Sequence, residues 1–201
     1  MLTVKEKLII VEGKDDIGFI DALCRHSNVT DYQIKETEGK SGYSASIAAI
    51  WKEPGYKSNV NSIGIIRDAN DNFSRTFQSV QTALRNSDLP VPGEPLKPAI
   101  NNNTSLRVNV FIMPDNGSKG ILEDLLLQSV EQKPAMPCVN KYFTCLNENG
   151  MNPRMSSKAR TQTYLAAQIK CGISIGVAAS RGYWPFIQDD FKDIINFIKN
   201  L

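Results

Sequence analysis

Acidic residues follow two apolar segments of the chain, in an arrangement that suits metal-assisted chemistry. Residues 8–11 lead directly into Glu12, and residues 63–66 are followed two positions later by Asp68. Two carboxylates brought close together repel each other, so a site that uses both needs a cation. Mg²⁺ is the simplest candidate, because it binds a few carboxylates together with waters and substrate phosphates.

Short apolar runs bounded by turn residues are typical of strands that are buried on both faces of a parallel sheet. The patterns predict strands over 8–11, 32–37, 62–67 and 106–113, and helices over 15–26, 44–51, 73–86 and 121–130. This alternation predicts an α/β fold with a mostly parallel sheet and right-handed crossovers. Functional residues of such sheets collect beyond the carboxyl ends of the strands, so Glu12 and Asp68 are expected at one edge.

Two further regions have a different character. Residues 89–105 are rich in Pro, Gly and Asn, which predicts a long loop and a candidate mobile flap. From Cys138 onward the patterns predict only helices, over 139–147, 157–171 and 189–201. We therefore expect a helical C-terminal extension, residues 138–201, packed on a single α/β domain that spans residues 1–201.

Composition places few limits on the function. The chain has 201 residues, of which 41% are hydrophobic and 22% charged, with a net charge of +2. This balance neither demands nor excludes nucleic acid, so a phosphate-binding surface would have to be a local patch. The sequence contains no apolar stretch of ~20 residues and no signal-peptide core, which predicts a cytoplasmic protein with no membrane contact. Its cysteines show no C-x-x-C pair, so we expect reduced, buried thiols rather than a zinc site.

Local motifs leave several alternatives open. The Gly-Lys-Ser at 39–41 resembles the end of a P-loop, but Ile34 stands where the first Gly is needed. Asn70 could belong to a turn that caps the next helix. Asp16 is better explained as a first-turn acid that offsets a helix dipole, and Glu123 by itself has the same explanation.

As a set, these motifs resemble the Toprim domain, the metal-binding α/β module of topoisomerases, primases and several nuclease families. Its hallmarks are a Glu, usually followed by Gly, after the first strand and an Asp-x-Asp after a later one. Glu12-Gly13 and Asp68-Ala69-Asn70 occupy those places. Small stand-alone Toprim-like proteins of the domain-of-unknown-function kind look more similar still, through Pro114-Asp115-Asn116 and Gly120-Ile121-Leu122-Glu123-Asp124.

The resemblance implies a Toprim-like, Rossmann-like fold and a set of site residues. The implied ligands of Mg²⁺ or Mn²⁺ are Glu12, Asp68, Asn70 and Glu123. Similarity to nucleases of the overcoming-lysogenisation-defect (OLD) type adds Glu123 as a ligand for a second metal and Lys158 as a catalytic lysine, while Glu12 serves as general acid or base. Candidate phosphate contacts are Lys14, Lys40, Arg67 and Lys119.

Two functions of different class follow. The first is a Mg²⁺-dependent phosphodiester hydrolase, a nuclease-like enzyme with nucleic acid as its partner. The second is a non-catalytic module that binds metal, nucleotide or nucleic acid. Asn70 separates them, because the second Asp of the Toprim pair is expected there and an amide brings no charge. An aspartate at position 70 is therefore expected to raise metal affinity.

Overall fold

A five-stranded sheet forms the centre of the computed structural model, which describes residues 4–37, 42–151 and 156–201. Its strands are β1 (Lys7–Val11), β2 (Tyr32–Glu36), β3 (Ser62–Asp68), β4 (Ala99–Ile100) and β5 (Arg107–Met113). They lie in the order β2-β1-β3-β5-β4, and every neighbouring pair is parallel except β4 with β5. The predicted α/β fold with a mostly parallel sheet is confirmed.

Helices cover both faces of the sheet. They are α1 (Lys14–His26), α2 (Tyr43–Trp51), α3 (Tyr56–Asn59), α4 (Phe73–Arg85), α5 (Leu122–Ser129), α6 (Met136–Glu148), α7 (Ser157–Ala166), α8 (Ile175–Ser180) and α9 (Lys192–Lys199). A 3₁₀ turn, Asp189–Phe191, precedes α9. The short helices α3 and α8 were not predicted, because so few residues carry little helical periodicity. The helix predicted over 157–171 ends earlier, at Ala166.

The strands are apolar along their whole length because each face of the sheet contacts a separate core. In β1, Leu8 and Ile10 pack with α2, α3 and α4, whereas Ile9 and Val11 pack with α1 and α5 to α9. All four side chains are at most 1% exposed. Burial on both faces explains why the strand sequences do not alternate between polar and apolar residues.

The segment predicted as a long loop and candidate flap at 89–105 contains a two-residue edge strand, so the prediction of a loop throughout is wrong. Ala99 pairs with Val108 and Ile100 with Arg107, at the beginning of β5. These residues lie at the amino ends of the parallel strands, opposite the edge where Glu12 and Asp68 follow β1 and β3. The pairing therefore ties the segment to the outer edge of the sheet, away from the carboxyl ends.

Helix α8 crosses α1 with almost no space between the backbones. A Cβ atom added to Gly18 would lie 2.8 Å from the Cα of Gly176, and one added to Gly176 would lie 2.5 Å from the Cα of Gly18. Only two glycines allow this approach. The crossing holds the C-terminal helices against α1, whose first turn forms part of the site described below.

The burial of the cysteines differs from the prediction. Of the cysteines, Cys24 alone is buried and Cys138, Cys145 and Cys171 are exposed, so the prediction of buried thiols is wrong for those three. Cys138 and Cys145 lie on the solvent side of α6.

Among the described residues, no helix has the length and apolar character needed to cross a bilayer.

The α1–α8 contact predicts a large effect of a single methyl group. Gly18→Ala should lower the free energy of unfolding by about 1–3 kcal/mol, because overpacking forces the helices apart. Gly93→Ala is the matched control, since a Cβ at Gly93 meets no atom within 4 Å. Urea denaturation of both variants tests this, and equal stability of Gly18→Ala and wild type would show that the helices separate at no cost.

Candidate functional site

A cleft of about 630 Å³ lies at the carboxyl edge of the sheet and is lined by acidic side chains. We call it the carboxylate cleft. Its acidic residues are Glu12, Asp15, Asp16, Glu36, Asp68 and Glu123, and its other lining residues are Gly13, Lys14, Thr37, Leu122 and Lys158. The expectation that Glu12 and Asp68 lie at the same edge agrees with this geometry, and Glu123 lines the same cleft.

The β1–α1 connection and the first turn of α1 provide three of the carboxylates, those of Glu12, Asp15 and Asp16. Glu12 directly follows β1, and Asp16 lies in the first turn of α1. The Gly13 N–H donates to Oδ2 of Asp16 over 2.9 Å, which satisfies one of the unpaired donors at the start of the helix. Asp16 is thus a first-turn acid of α1, as the sequence predicts, and it also caps the helix and lines the cleft.

The segments that follow β3 and β5 are joined to each other by backbone hydrogen bonds. The Asn70 N–H donates to the Gly120 carbonyl over 2.7 Å, and the Gly120 N–H donates to the Asn70 carbonyl over 2.8 Å. Gly120 has a φ of +145°, and a Cβ there would lie 2.8 Å from Oδ2 of Asp124. In consequence the Leu122 N–H donates to Oδ1 of Asp68 over 2.9 Å, which fixes Asp68 against the start of α5.

Glu123 and Lys158 meet at the far side of the cleft. Glu123 is 8% exposed, and its Oε1 lies 4.0 Å from Nζ of the exposed Lys158. Asp124 accepts hydrogen bonds from the Ile121 N–H over 2.8 Å and from Oγ of Ser157. Asp124 thus caps α5 and holds the start of α7 beside it, which brings Lys158 to Glu123.

Burial and, after it, repulsion between neighbouring carboxylates raise the pKa values of Asp68, Asp16 and Glu123. Burial, then the charges of Asp16 and Glu12, raise the pKa of Asp68 to about 8, although the Leu122 N–H opposes the shift. Burial and the charges of Glu12 and Glu123 raise the pKa of Asp16 to about 6, against the bond from Gly13. Burial also raises the pKa of Glu123, while Lys158 lowers it. The cleft therefore disfavours the charged form of these carboxyl groups unless a cation accompanies them.

Arg67 occupies a different place from the one predicted for a phosphate contact. It is 9% exposed, and its Nε lies 3.6 Å from Oε2 of Glu12. Its Nη1 donates to Oγ of Ser79 over 3.0 Å, and its Cζ lies 3.9 Å from the centre of the Tyr43 ring. These contacts leave little of the guanidinium for a substrate, and Arg67 lines a neighbouring depression with Asn70 rather than the carboxylate cleft.

The remaining predicted site residues lie in different places. Lys14 lines the cleft with Lys158, and the role of Lys14 as a phosphate contact stays a prediction. Asn70 has a φ of +54°, and its Nδ2 donates to the Asp68 carbonyl over 3.1 Å, so its position reflects turn geometry. Lys119 is exposed, and within the described ranges it is not among the residues that line the cleft. Lys40 lies outside the residues that the structure describes.

Residues at the end of β2 were missed. Glu36 and Thr37 line the cleft beside the turn after β1, because β2 is the parallel neighbour of β1. The Thr37 N–H donates to the Val11 carbonyl over 2.9 Å and continues the ladder beyond the strand. The signal was available, since a carboxylate at the end of a predicted parallel strand belongs to the same edge as Glu12.

The donor chemistry suits a hard divalent cation, although the ligands are not assembled around one point. Oε2 of Glu12 is buried and has no hydrogen-bond donor, and several carboxylates face the same space. Within residues 4–37, 42–151 and 156–201, however, no group of three or more His, Cys, Asp or Glu side chains is arranged to hold an ion. Binding would require side chains such as Glu12 and Glu123 to turn towards a common centre.

Comparison with known protein families identifies the chain. A family model described as protein of unknown function (DUF3226) matches residues 6–201. The chain belongs to the DUF3226 family. A search of curated proteins finds no match for this DUF3226 chain.

Solved structures of one other protein align with the DUF3226 chain along nearly its whole length. They are crystals of the C-terminal region of the OLD protein of Xanthomonas campestris pv. campestris. The crystal phased with iodine aligns at 11% identity and a TM-score of 0.45, covering 99% of this chain and 96% of that one. The structure phased with mercury aligns at 11% identity and a TM-score of 0.40, covering 100% of this chain and 88% of that one. TM-scores below 0.5 do not establish a shared fold, so the description of the fold stands on its own strand order.

The raised pKa values predict how stability depends on pH. The folded chain binds protons at Asp68 and Asp16 more tightly than the unfolded chain does. Their stabilising contribution is therefore full below about pH 4 and is lost as the pH rises towards 8, with a slope of at most about 1.4 kcal/mol per pH unit for each group. In the presence of a chelator, the urea midpoint should fall between about pH 5 and pH 8.5.

Asp68→Asn should flatten this decline and stabilise the metal-free protein at the alkaline end. Asp71→Asn, which removes an exposed carboxylate nearby, is the control and should keep the wild-type slope. A midpoint that stays constant with pH in the wild type would contradict the raised pKa of Asp68.

Proposed function

We propose that this DUF3226 protein is a Toprim-like, metal-dependent phosphodiester hydrolase that acts on nucleic acid. The observation that carries the proposal is the carboxylate cleft, where Glu12, Asp16, Asp68 and Glu123 share one space and lack sufficient positive charge. Such a cluster is costly unless protons or a cation neutralise it. Mg²⁺ or Mn²⁺ is the cofactor of matching chemistry, since both favour carboxylate oxygen.

The proposed ligands come from three separate segments of the chain. Glu12 and Asp16 lie in the β1–α1 turn, Asp68 ends β3, and Glu123 lies in the first turn of α5. Asp16 replaces Asn70 in this set, because Asp16 lines the cleft and the Asn70 amide bonds to the Asp68 carbonyl. This set has enough carboxylates to compensate for the missing aspartate at position 70.

The lysines of the cleft provide the contacts to a substrate. When bound, a divalent ion polarises a phosphodiester oxygen and lowers the pKa of a bound water. Lys14 and Lys158 present ammonium groups at the mouth of the cleft, where each can donate to a non-bridging phosphate oxygen. Lys158 Nζ can also donate a proton to the leaving oxygen, and Glu12 can accept one from the attacking water.

A non-catalytic binding module remains the second candidate. It is favoured by the absence, within the described ranges, of an assembled ligand group of three or more acidic, His or Cys side chains. It predicts metal binding without turnover, because catalysis requires groups held within ~0.5 Å of productive geometry. Cleavage assays separate the two candidates.

Metal binding is the first test of the proposal. Titration calorimetry with Mn²⁺ should show binding by the wild type, and Glu12→Gln and Asp68→Asn should each weaken it by at least about tenfold. Asp88→Asn is the matched control, because Asp88 is exposed, follows α4 and is compatible with Asn at its φ of +54°. Wild-type affinity in both cleft variants would remove these carboxylates from the site.

Cleavage is the second test. Wild-type protein with Mn²⁺ should cut a mixture of single- and double-stranded DNA and RNA, and Lys158→Gln should reduce the rate by about 100-fold or more while retaining Mn²⁺ binding. Lys170→Gln, an exposed lysine beyond α7, should behave as wild type. Activity that survives Glu12→Gln would reveal a contaminating nuclease, and binding without any cleavage would favour the second candidate.

A further inference from the structure

We infer that Arg67 is an internal counter-ion that holds the Glu12 carboxylate while the cleft lacks metal and releases it to an incoming divalent ion. This inference rests on the proposed metal site. It replaces the role of phosphate contact expected for Arg67, and it makes Arg67 a positioning residue that acts through Glu12. Metal affinity would then be set by competition inside the protein as well as by the number of carboxylates.

The ion pair between Arg67 and Glu12 is too long to be a hydrogen bond. Nε of Arg67 and Oε2 of Glu12 are 3.6 Å apart, and each of these atoms is buried without a hydrogen-bond partner. The side chains are 10% and 17% exposed, so neither charge is fully hydrated. Glu12 is therefore compensated by charge without being locked by a directional bond, and its carboxylate can turn towards the cleft that it lines.

Other contacts hold the guanidinium in place independently of Glu12. The Tyr43 ring lies against its face at 3.9 Å, and Oγ of Ser79 accepts from Nη1 at 3.0 Å. Cation–π contact with a buried ring and a hydrogen bond from the planar fork both restrict Arg67. Arg67 can therefore remain where it is when Glu12 turns away.

A second, longer ion pair lines the cleft, between Glu123 and Lys158. Glu123 has Lys158 at 4.0 Å, but Lys158 is exposed, whereas Arg67 is buried. Asp16 and Asp68 line the same cleft, and within the described ranges neither takes part in an ion pair. A divalent ion bound in this cleft would draw the carboxylates of Glu12 and Glu123 towards it.

The test is Mn²⁺ binding measured by calorimetry on Arg67→Gln, which removes the charge and the Nη1 bond to Ser79. Loss of the competing cation should tighten Mn²⁺ binding by about threefold to tenfold relative to wild type. Arg67→Lys keeps the charge and should bind Mn²⁺ as wild type does. Arg75→Gln is the matched control for net charge, because Arg75 is exposed and lines the neighbouring depression without contacting Glu12.

A double-mutant cycle separates action through Glu12 from a general charge effect. In the Glu12→Gln background, Arg67→Gln should change Mn²⁺ affinity by less than about twofold, because the carboxylate that Arg67 holds is gone. An equal gain in both backgrounds would overturn the inference. So would unchanged or weaker binding by Arg67→Gln, or tighter binding by Arg67→Lys or Arg75→Gln.

Two further outcomes have distinct meanings. If the wild type does not bind Mn²⁺, the proposed function fails and this inference fails with it, whereas wild-type binding with unresponsive Arg67 variants overturns the inference alone. If Arg67→Gln does not fold, the Glu12→Gln/Arg67→Gln double variant should fold, since it leaves no buried charge unpaired. A double variant that also fails to fold would assign Arg67 to packing against Tyr43 and overturn the inference.

Discussion

Burial of several carboxylates in one cleft is the constraint on which the carboxyl edge of this sheet depends. Parallel strands end side by side, so acidic residues placed after β1, β2 and β3 share one cleft. Burial removes much of the water that would screen them, and the pKa of Asp68 rises to about 8 as a result. Capping bonds, internal cations and a bound divalent ion are different ways to offset the same electrostatic cost.

Backbone hydrogen bonds between loops fix the positions of the carboxylates in the cleft. Hydrogen bonds between Asn70 and Gly120 join the loops after β3 and β5, and the Leu122 N–H then reaches Asp68. The Asp-Asn pair after β5 has a related structural use: Oδ1 of Asp115 accepts from two backbone N–H groups and Oδ1 of Asn116 from Ile112. These residues shape the loops, and the carboxylates of the cleft depend on that shape.

The C-terminal helices are part of the same arrangement. Asp124 caps α5 and accepts from Ser157, so α7 begins beside Glu123 and brings Lys158 to the cleft. On the other side, the glycine crossing of α8 holds α1, whose first turn carries Asp16. The region after residue 138 thus supports both flanks of the cleft through contacts made far apart in sequence.

Local sequence was sufficient for the strands, the longer helices and the edge on which Glu12 and Asp68 lie. A strand buried on both faces must be apolar throughout, and its carboxyl end is defined by chain direction, so both features can be predicted from residues 8–12 and 63–68. The two-residue strand β4 and the helix α8 escaped prediction, because each is too short for periodicity and forms through contacts with β5 or α1. Only the tertiary structure decided that Asp16 lines the cleft, that Asn70 turns back to the Asp68 carbonyl, and that Arg67 pairs with Glu12 instead of facing solvent. Which neighbour a charged side chain meets depends on burial and on strands distant in sequence, and neither is encoded in the spacing of a motif.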